Sequence, residues 1–334
     1  MKAVVFTKRL ALDVVDLGLP EVGPDEVRVK VAYSGICGSD LHRLERTTTP
    51  AGMIMGHEFC GTVEELGRDV SGWAAGERVV ILPMVACGKC WGCQLGRPEL
   101  CEHGLLEGPG MGRAGGYAEY VSLPARMLRR LPADLSMQHA ALVEPLSVAL
   151  HGIAISGATP EDKAVVLGSG PIGLFAAIGL RARGFKDVLV IEANEARRDK
   201  VASLGFRTAA PADAAGAVKE AFGRGATVAF DCTGHPSGLP LALELLLPAS
   251  TLVVVGIPDE PVSVSLRKVA VDEVSIKGSI GYDDADYDEA IEHISKGRVP
   301  CDEITTIAPL ADAQHWFEVL IARTSNELKV LLQP

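Results

Sequence analysis

Four cysteines are concentrated in the short segment "CGKCWGCQLGRPELC". The two-residue gaps among the first three let a tight loop turn the sulfurs inward, and four thiolates complete the tetrahedral shell of a zinc ion. An iron–sulfur cluster is one alternative, although ferredoxin-type runs space their fourth cysteine differently, and plain buried or bridged cysteines are another. Because four sulfur ligands leave no open position, the segment predicts a structural zinc site. Its ligands would be Cys87, Cys90, Cys93 and Cys101.

A second, more scattered group predicts a zinc site with an open position. "GICGSDLH" contains Cys37, and "GHEFCG" contains His57 and Glu58. Thiolate, imidazole and carboxylate are all zinc ligands, and three protein ligands leave a fourth position for water or substrate. Glu144 stands in the apolar stretch "VEPLSV", where a carboxylate is rare unless it is paired or binds a metal ion. We therefore expect Glu144 to face the same ion.

A glycine-rich turn, "VVLGSGPIG", follows an apolar strand and opens a predicted helix. In its GxGxxG spacing the first glycine makes the tight turn, the second admits a pyrophosphate, and the third lets helix and strand pack closely. The spacing alone is a weak signal in a chain with 36 glycines, but the strand and helix around it supply the context that the mechanism needs. The predicted dinucleotide-binding residues here are Gly168, Gly170, Pro171, Ile172 and Gly173.

Glu192, at the end of the next predicted strand, bears on the choice of cofactor. An acid at this place accepts hydrogen bonds from the adenosine ribose and repels a 2′-phosphate, although a solvated strand-end carboxylate is the alternative. Arg197 and Arg198 are the counter-evidence, since either could bind a 2′-phosphate or simply solvate the following helix. The sequence favours NAD over NADP and keeps Arg197 as a candidate cofactor contact.

The secondary structure that must position these residues changes along the chain, from mostly strands to alternating strands and helices. "EVRVKVAYSG" (26–35) alternates apolar and polar residues, and further short strands with glycine and proline turns predict a β-rich barrel-like or sandwich domain. A helix capped by Ser136 is predicted over "SMQHAALVEPLSVALHGI". From Lys163 strands and helices alternate, which is the βαβ pattern of a parallel, doubly wound sheet. The expected fold class is therefore α/β.

Composition narrows the function classes. The 334 residues fit two domains, with 48% hydrophobic and 22% charged residues as in ordinary soluble proteins. A net charge of -11 argues against nucleic-acid partners, and no apolar run is long enough to span a bilayer. The N-terminus lacks the apolar core of a signal peptide, so we expect a cytoplasmic protein. In that reducing compartment, clustered cysteines are more often metal ligands than disulfides.

The motifs occur in an order and at separations that resemble the zinc-dependent medium-chain dehydrogenases over essentially the whole chain. They are "GICGSDLH", "GHEFCGTVEELG", the four-cysteine run, "VEPLSVALHG" and "VLGSGPIG". The resemblance is closest to the polyol (sorbitol-like), butanediol and threonine dehydrogenase branch. In the alcohol dehydrogenases proper, a cysteine stands where this chain has Glu144, which favours the polyol branch. The resemblance leaves open whether Glu58 or Glu144 is the third zinc ligand.

The resemblance implies a GroES-like β-rich catalytic domain over residues 1–147, a Rossmann domain over 148–281, and a return to the catalytic domain over 282–334. It implies a dehydrogenase of secondary alcohols, polyols or a β-hydroxy amino acid, in which zinc stabilises the alkoxide while hydride passes to NAD. Ser39 would accept the proton and His42 would pass it to solvent, unless Ser39 only caps a turn and His42 is a surface residue. Asp40 lies between them, and we expect it to cap the following helix. It also implies two zinc ions per chain, a small-molecule substrate and a dimer or tetramer.

Three rival functions remain open on the sequence. A Rossmann-containing sensor or structural protein could have kept the fold and lost the chemistry, but its open zinc site should then have decayed first. A zinc-free quinone reductase of the same fold leaves Cys37, His57 and Glu58 without a role. An NADP-preferring alcohol dehydrogenase is the nearest alternative to the proposed NAD enzyme.

Overall fold

The computed structural model describes residues 1–46, 48–104 and 106–334. Within these ranges the strands, in chain order, are β1 (Lys2–Lys8), β2 (Ala11–Asp16), β3 (Glu26–Gly35), β4 (Glu58–Leu66), β5 (Arg78–Ile81), β6 (Tyr120–Pro124), β7 (Leu128–Arg130), β8 (Ala164–Leu167), β9 (Val188–Ile191), β10 (Arg207–Ala209), β11 (Ala226–Asp231), β12 (Leu246–Val254), β13 (Ser275–Gly278), β14 (Thr305–Pro309) and β15 (Lys329–Gln333).

Helices alternate with these strands, most regularly in the middle of the chain. The α-helices in the described residues are α1 (Gly38–Glu45), α2 (Trp91–Gln94), α3 (Met137–Ala140), α4 (Val143–Ser156), α5 (Pro171–Ala182), α6 (Glu195–Ser203), α7 (Ala214–Phe222), α8 (Gly238–Leu245), α9 (Leu266–Val271), α10 (Asp284–Ser295), α11 (Cys301–Ile304) and α12 (Ala313–Ile321). Short 3₁₀ helices span Pro98–Leu100, Ala125–Met127, Pro211–Asp213 and Leu310–Asp312. In the described part of the chain, no helix combines the length and hydropathy that crossing a membrane requires.

The chain divides into two compact units. Unit 1 comprises Met1–Glu144, Asp283–Gly297 and Cys301–Pro334, and unit 2 comprises Pro145–Tyr282 and Arg298–Pro300. The boundaries between the two units therefore fall after Glu144 and after Tyr282. Both lie within a few residues of the domain boundaries that the sequence analysis expects. The short segment 298–300 groups with unit 2, although the sequence analysis assigned it to the returning part of the catalytic domain.

Unit 1 is built on a sheet with the strand order β14-β15-β3-β4-β5-β7, and β6 also pairs with β3. Strand β3 has the bounds that its alternating sequence predicts, and Val27, Val29 and Val31 are buried on one face. Those side chains pack against Phe59 and Val121 from the neighbouring strands. Burial of one strand face fixes the register, because a slip by one residue would turn the apolar face to solvent.

Unit 2 contains a parallel sheet with the order β10-β9-β8-β11-β12-β13. The strands β8 and β9 are buried along their whole length, as expected of strands with helices on both faces. The strand order switches between β8 and β11: β9 and β10 lie on one side of β8, and β11, β12 and β13 lie on the other. Dinucleotides bind at the carboxyl ends of the strands beside such a switch point. The predicted doubly wound α/β fold is confirmed.

The helix predicted after Ser136 is broken into two. The Ser136 hydroxyl caps α3 by accepting a hydrogen bond from the backbone N–H of His139 at 3.1 Å. A second helix, α4, begins at Val143 and carries Pro145 in its first turn. Proline lacks the N–H needed inside a helix and its ring would clash with the carbonyl four residues earlier, so a new helix starts where proline is tolerated.

Candidate metal centres and dinucleotide site

The first candidate metal centre lies where β3 ends and β4 begins. The antiparallel register of the two strands places Gly35 opposite Glu58. Cys37 follows β3 as the N-cap of α1, and His57 directly precedes β4. As a result, ligand atoms of Cys37, His57 and Glu58 lie within 4.8 Å of one another. A thiolate, an imidazole and a carboxylate at this spacing fit one zinc ion and leave its fourth position open.

Glu144 lies outside this cluster of three. It is 6% exposed in the first turn of α4, and its charge helps to raise the pKa of buried Tyr287, after the larger effect of burial. The burial expected for Glu144 is therefore observed. Its role as a zinc ligand, alternative to Glu58, stays a prediction.

Asp40 is buried against His57, a contact that sequence reasoning missed. Its Oδ1 atom lies 3.7 Å from His57 Nδ1, and its Oδ2 atom accepts a hydrogen bond from the Tyr117 hydroxyl at 2.7 Å. Oδ2 also accepts from the backbone N–H of Cys37 at 3.2 Å, which is the capping role that the sequence predicts. At 3.7 Å the contact between Asp40 and His57 is electrostatic and not a hydrogen bond, and a carboxylate beside a metal-binding histidine is the usual kind of outer-shell partner.

The electrostatics of this pair favour its charged form. Burial raises the pKa of Asp40, but the charge of His57 and the hydrogen bonds that Asp40 receives hold it below its ordinary value. Burial lowers the pKa of His57, but the charges of Cys37 and Asp40 raise it well above its ordinary value. A bound cation would displace the His57 proton, because only neutral imidazole is a metal ligand.

The predicted proton-transfer residues occupy the first turns of α1. Among the described residues, the buried hydroxyl oxygen of Ser39 has no hydrogen-bond partner. The side chain of His42 is 53% exposed, and its Nδ1 atom lies 3.9 Å from a carboxylate oxygen of Glu45. Ser39 thus keeps a hydroxyl available on the buried side of the helix, while His42 reaches solvent.

Lys329 is a further residue that sequence reasoning missed. It lies in β15 with only 2% of its surface exposed, and its ammonium group is ion-paired with Oε2 of Glu58. The signal was a lysine within the otherwise apolar run "LKVLL", at the start of β15. That signal marks a buried charge, but it does not identify the partner.

The four-cysteine cluster forms as expected from its spacing. The sulfurs of Cys87, Cys90, Cys93 and Cys101 lie within 4.8 Å of one another. Cys93 Sγ lies 3.9 Å from Cys87 Sγ and 3.5 Å from Cys90 Sγ. Four sulfurs that surround a zinc ion at tetrahedral positions lie about 3.8 Å apart, so the cluster fits the ion.

Local structure holds the cysteines in this arrangement. Cys90 is the N-cap of α2, and Cys101 is the C-cap of the 3₁₀ helix Pro98–Leu100. Backbone N–H groups of Cys87 and Cys90 donate to the sulfurs of Cys101 and Cys87, at 3.3 and 3.4 Å. Hydrogen bonds from the backbone, at Cys93 and Glu102, lower the pKa of Cys90 to about 6. The loop therefore stabilises the thiolate of Cys90, the form of cysteine that binds zinc, whereas burial raises the pKa of Cys93 to about 11.

The glycine motif adopts the conformation that its spacing predicts. Gly168 follows β8 with φ +85°, a left-handed conformation that favours glycine. A Cβ atom on Gly173 would collide with the carbonyl oxygen of Gly168, whereas one on Gly170 would enter open space. Gly170 is the N-cap of α5, with Pro171 and Ile172 in the first turn. The open space beside a helix N-terminus fits a pyrophosphate.

Glu192 is 8% exposed and is held by the glycine turn. Its Oε2 atom accepts from the backbone N–H of Ser169 at 2.7 Å and from the Ser169 hydroxyl at 2.9 Å, while Oε1 accepts from the N–H of Asn194 at 2.8 Å. A carboxylate has about four acceptor positions, so room remains for a ribose hydroxyl. The sequence analysis missed Ser169, although it stands inside the motif.

The two arginines differ in their surroundings. The guanidinium group of Arg198 donates to the backbone carbonyls of Glu192 and Ala193 at 2.9 and 2.7 Å, so it stabilises the turn after β9. Arg197 is half-buried, and its backbone N–H donates to the capping side chain of Asn194. A cofactor contact by Arg197 stays a prediction.

Comparison with known proteins gives consistent matches across the chain. Residues 23–133 match the family model of the alcohol dehydrogenase GroES-like domain, and residues 171–296 match that of the zinc-binding dehydrogenases. The (R,R)-butanediol dehydrogenase of Bacillus subtilis (strain 168) is 32% identical, and the alignment covers 100% of each chain.

Two solved structures have the same fold. An alcohol dehydrogenase from E. coli CFT073, described as short chain and complexed with NADH, has a TM-score of 0.92 and 29% identity, and the match covers 100% of this chain and 99% of the other. A zinc-binding dehydrogenase from Sinorhizobium meliloti 1021, bound to NADP, has a TM-score of 0.90 and 31% identity with the same coverage. Both cofactors therefore occur among similar structures.

Proposed function

The chain belongs to the zinc-dependent medium-chain dehydrogenase family, in its polyol, butanediol and threonine dehydrogenase branch, and we propose that it oxidises a secondary alcohol, a polyol or a β-hydroxy amino acid with NAD. The observation that carries this proposal is the convergence of Cys37, His57 and Glu58 within 4.8 Å, which is a donor set with room for one more ligand. The substrate classes are those that the names of three similar proteins give: (R,R)-butanediol dehydrogenase, sorbitol dehydrogenase and L-threonine 3-dehydrogenase.

Cys37, His57 and Glu58 would hold the catalytic zinc, with Glu144 as the alternative third ligand. Bound there, zinc supplies positive charge that lowers the pKa of a substrate alcohol and stabilises the developing negative charge on its oxygen. The Asp40 carboxylate, 3.7 Å from Nδ1 of His57, would accept a hydrogen bond from that nitrogen when the other ring nitrogen binds zinc. The residues around the centre thereby fix where the alcohol oxygen can lie.

Ser39 and His42 would carry the proton away from the alcohol. The support for Ser39 is its buried hydroxyl, which has no partner among the described residues and lies on the helix that Cys37 caps. His42 lies one turn further along α1 with half of its side chain exposed, so its ring is in contact with solvent and can pass a proton to it. Removal of the proton and loss of hydride from the same alcohol give a carbonyl product.

NAD is the proposed hydride acceptor, because it supplies the redox chemistry that the side chains lack. Gly168, Gly170 and Gly173 would admit its pyrophosphate, and the free acceptor capacity of Glu192 would bind the adenosine ribose. A 2′-phosphate would meet the carboxylate of Glu192, which argues against NADP. Arg197 is the side chain through which NADP could still bind.

The four-cysteine cluster completes the proposal with a structural zinc, so each chain would hold two zinc ions. We also propose a cytoplasmic homo-oligomer, either dimer or tetramer. Strand β13 supports oligomer formation, since it ends its sheet and is exposed along its length. Exposed Ile276 lies in β13, and three more exposed apolar side chains precede the strand in unit 2: Ile257, Leu266 and Val271.

One screen tests the proposed activity. Purified protein is assayed for NADH formation with polyols, vicinal diols, simple secondary alcohols and threonine, and in parallel for NADPH formation with NADP. We expect turnover with at least one class, a preference for NAD, and two zinc ions per chain by elemental analysis. One zinc per chain and no turnover with any class would favour a non-catalytic sensor or structural protein.

A further inference from the structure

A buried ion pair joins the last strand of unit 1 to the candidate zinc ligand Glu58. The Lys329 ammonium group contacts Glu58 Oε2 and also donates to the carbonyl of Ile36 at 2.9 Å. The side chains of Lys329 and Glu58 are 0% and 1% exposed. The pair thus bridges the two backbone segments that carry the ligands Cys37 and Glu58.

The surrounding backbone is shaped to accommodate this pair. Gly35 lies in β3, between the neighbouring strands β4 and β15. It pairs with Glu58 of β4 on one side and with Leu331 of β15 on the other. A Cβ atom at residue 35 would collide with Glu58 Oε2 and lie 3.0 Å from the Cε atom of Lys329. Glycine at this position therefore leaves the space in which the ammonium group reaches the carboxylate.

Charge explains why a lysine should be buried here. A divalent ion held by the Cys37 thiolate and the Glu58 carboxylate would be neutralised by them, and buried Asp40 would then be left without a compensating charge. A buried ion is strongly unfavourable unless it is paired, and Lys329 supplies the balancing positive charge. Because the ammonium group is ion-paired with Glu58, it also competes with a metal ion for the Glu58 carboxylate.

We propose that Lys329 is a positioning residue that restrains Glu58 and keeps it from binding the metal ion through both oxygens. This inference rests on the proposed function, because it assumes an ion on Cys37, His57 and Glu58. A carboxylate with one oxygen committed to an ammonium group is a weaker, single-oxygen ligand. The restraint leaves a coordination position free for substrate and limits the affinity of the site for zinc.

The first test measures metal binding without turnover. Lys329→Met removes the charge and keeps the length of the side chain, whereas Lys329→Arg retains the charge. We expect Lys329→Met to bind the second zinc equivalent at least about tenfold more tightly in chelator competition, since a positive charge beside the ligands is lost. We expect Lys329→Arg to retain the wild-type affinity.

A spectroscopic readout separates positioning from folding. The protein is loaded with Co²⁺, and the spectrum of a Cys37→Ser variant is subtracted to remove the four-cysteine site. With Lys329→Met the visible bands should weaken, because Co²⁺ absorbs less intensely when its coordination number rises, while Lys329→Arg should match wild type. Lys329→Leu, which also lacks both the charge and the hydrogen-bond donor, replaces Lys329→Met if the latter fails to fold.

Unchanged or weaker zinc binding in the neutral variants would overturn the inference and make Lys329 a purely structural residue. Failure of the proposed function has a different signature. In that case wild-type protein would bind one zinc ion, and Cys37→Ser would change neither the metal content nor the Co²⁺ spectrum.

Discussion

Asp40 and His57 face each other in the interior of unit 1, with 3.7 Å between Asp40 Oδ1 and His57 Nδ1 and exposures of 0% and 6% for their side chains. The pair joins the capping residue of α1 to the residue before β4, so the helix and the sheet are coupled at the candidate metal centre. The lowered pKa of Asp40 and the raised pKa of His57 favour the charged form of both side chains when no metal ion is bound. With a metal ion bound, Asp40 would accept from a neutral His57 ring.

Asp40→Asn should destabilise the metal-free protein in a pH-dependent way. The His57 pKa is raised above 6.5, so its contribution is fully present below pH 6.5 and is lost as the pH rises through the folded-state value. The Asp40 pKa is lowered below 3.8, so its contribution is present above pH 3.8 and is lost as the pH falls through the folded-state value. Thermal unfolding of chelator-treated protein should therefore show the largest loss, about 1–3 kcal/mol, between these limits.

Zinc uptake by the same variant is the complementary measurement. Since zinc must displace the His57 proton, wild-type affinity should continue to rise with pH above 6.5, and that of Asp40→Asn should level off at a lower pH. Parallel pH profiles for the two proteins would contradict the pairing of Asp40 with His57.

Cys37→Ser should abolish turnover while leaving the fold and NAD binding in place. The several kcal/mol of charge stabilisation that a catalytic metal supplies correspond to a loss of about 10³-fold or more in kcat. Steady-state assays, zinc analysis and NADH fluorescence titration check the three parts of this prediction. Retained activity would show that the open site has been placed on the wrong residues.

Cys93→Ser should reduce stability before it affects the chemistry, because it opens the four-sulfur shell of the structural zinc. The melting temperature should fall by about 2–4 °C for each kcal/mol lost. Cys232→Ser is the matched control, since Cys232 lies in unit 2 outside both cysteine-containing clusters. A variant as stable and soluble as this control would exclude a structural zinc on the four cysteines.

Glu192→Ala should relax the discrimination between NADH and NADPH by about tenfold or more, because it removes both the ribose hydrogen bond and the repulsion of a 2′-phosphate. Ser169→Ala should produce a smaller change in the same direction, since the Ser169 hydroxyl holds Glu192 Oε2 at 2.9 Å. Fluorescence titrations with both cofactors measure the ratio of dissociation constants. Exposed Glu195, at the start of α6, provides the Glu195→Ala control, and a ratio unchanged in Glu192→Ala would remove Glu192 from the ribose role.

The residues that the sequence located correctly share one property, which is that their signal is local. Strand β3 follows from strict alternation, and Gly168 and Gly173 follow from a turn that only glycine fits. The capping role of Asp40 is equally local, because it acts on the N–H of Cys37 three residues earlier. Patterns of this kind depend on a few neighbouring residues and are visible in a single sequence.

The contacts that sequence analysis missed depend on which strands pair. Asp40 meets His57 only because β3 and β4 pair in one register, and Tyr117 reaches Asp40 across 77 residues of chain. The pair of Lys329 and Glu58 spans 271 residues. The apolar run "LKVLL" is compatible with a buried strand at β15, but it carries no information on the neighbour beside which that strand lies.

The position of Lys329 in the chain order has a consequence for biosynthesis. Strand β15 follows every residue of unit 2, yet it inserts beside β3 in a sheet whose other strands are mostly made first. A nascent chain that carries all the candidate zinc ligands therefore still exposes an unpaired edge of β3 and an uncompensated Glu58 until β15 leaves the ribosome. Assembly of unit 1 must wait for synthesis of unit 2, and a ribosome that stalls within unit 2 would hold an acidic, unfinished metal pocket.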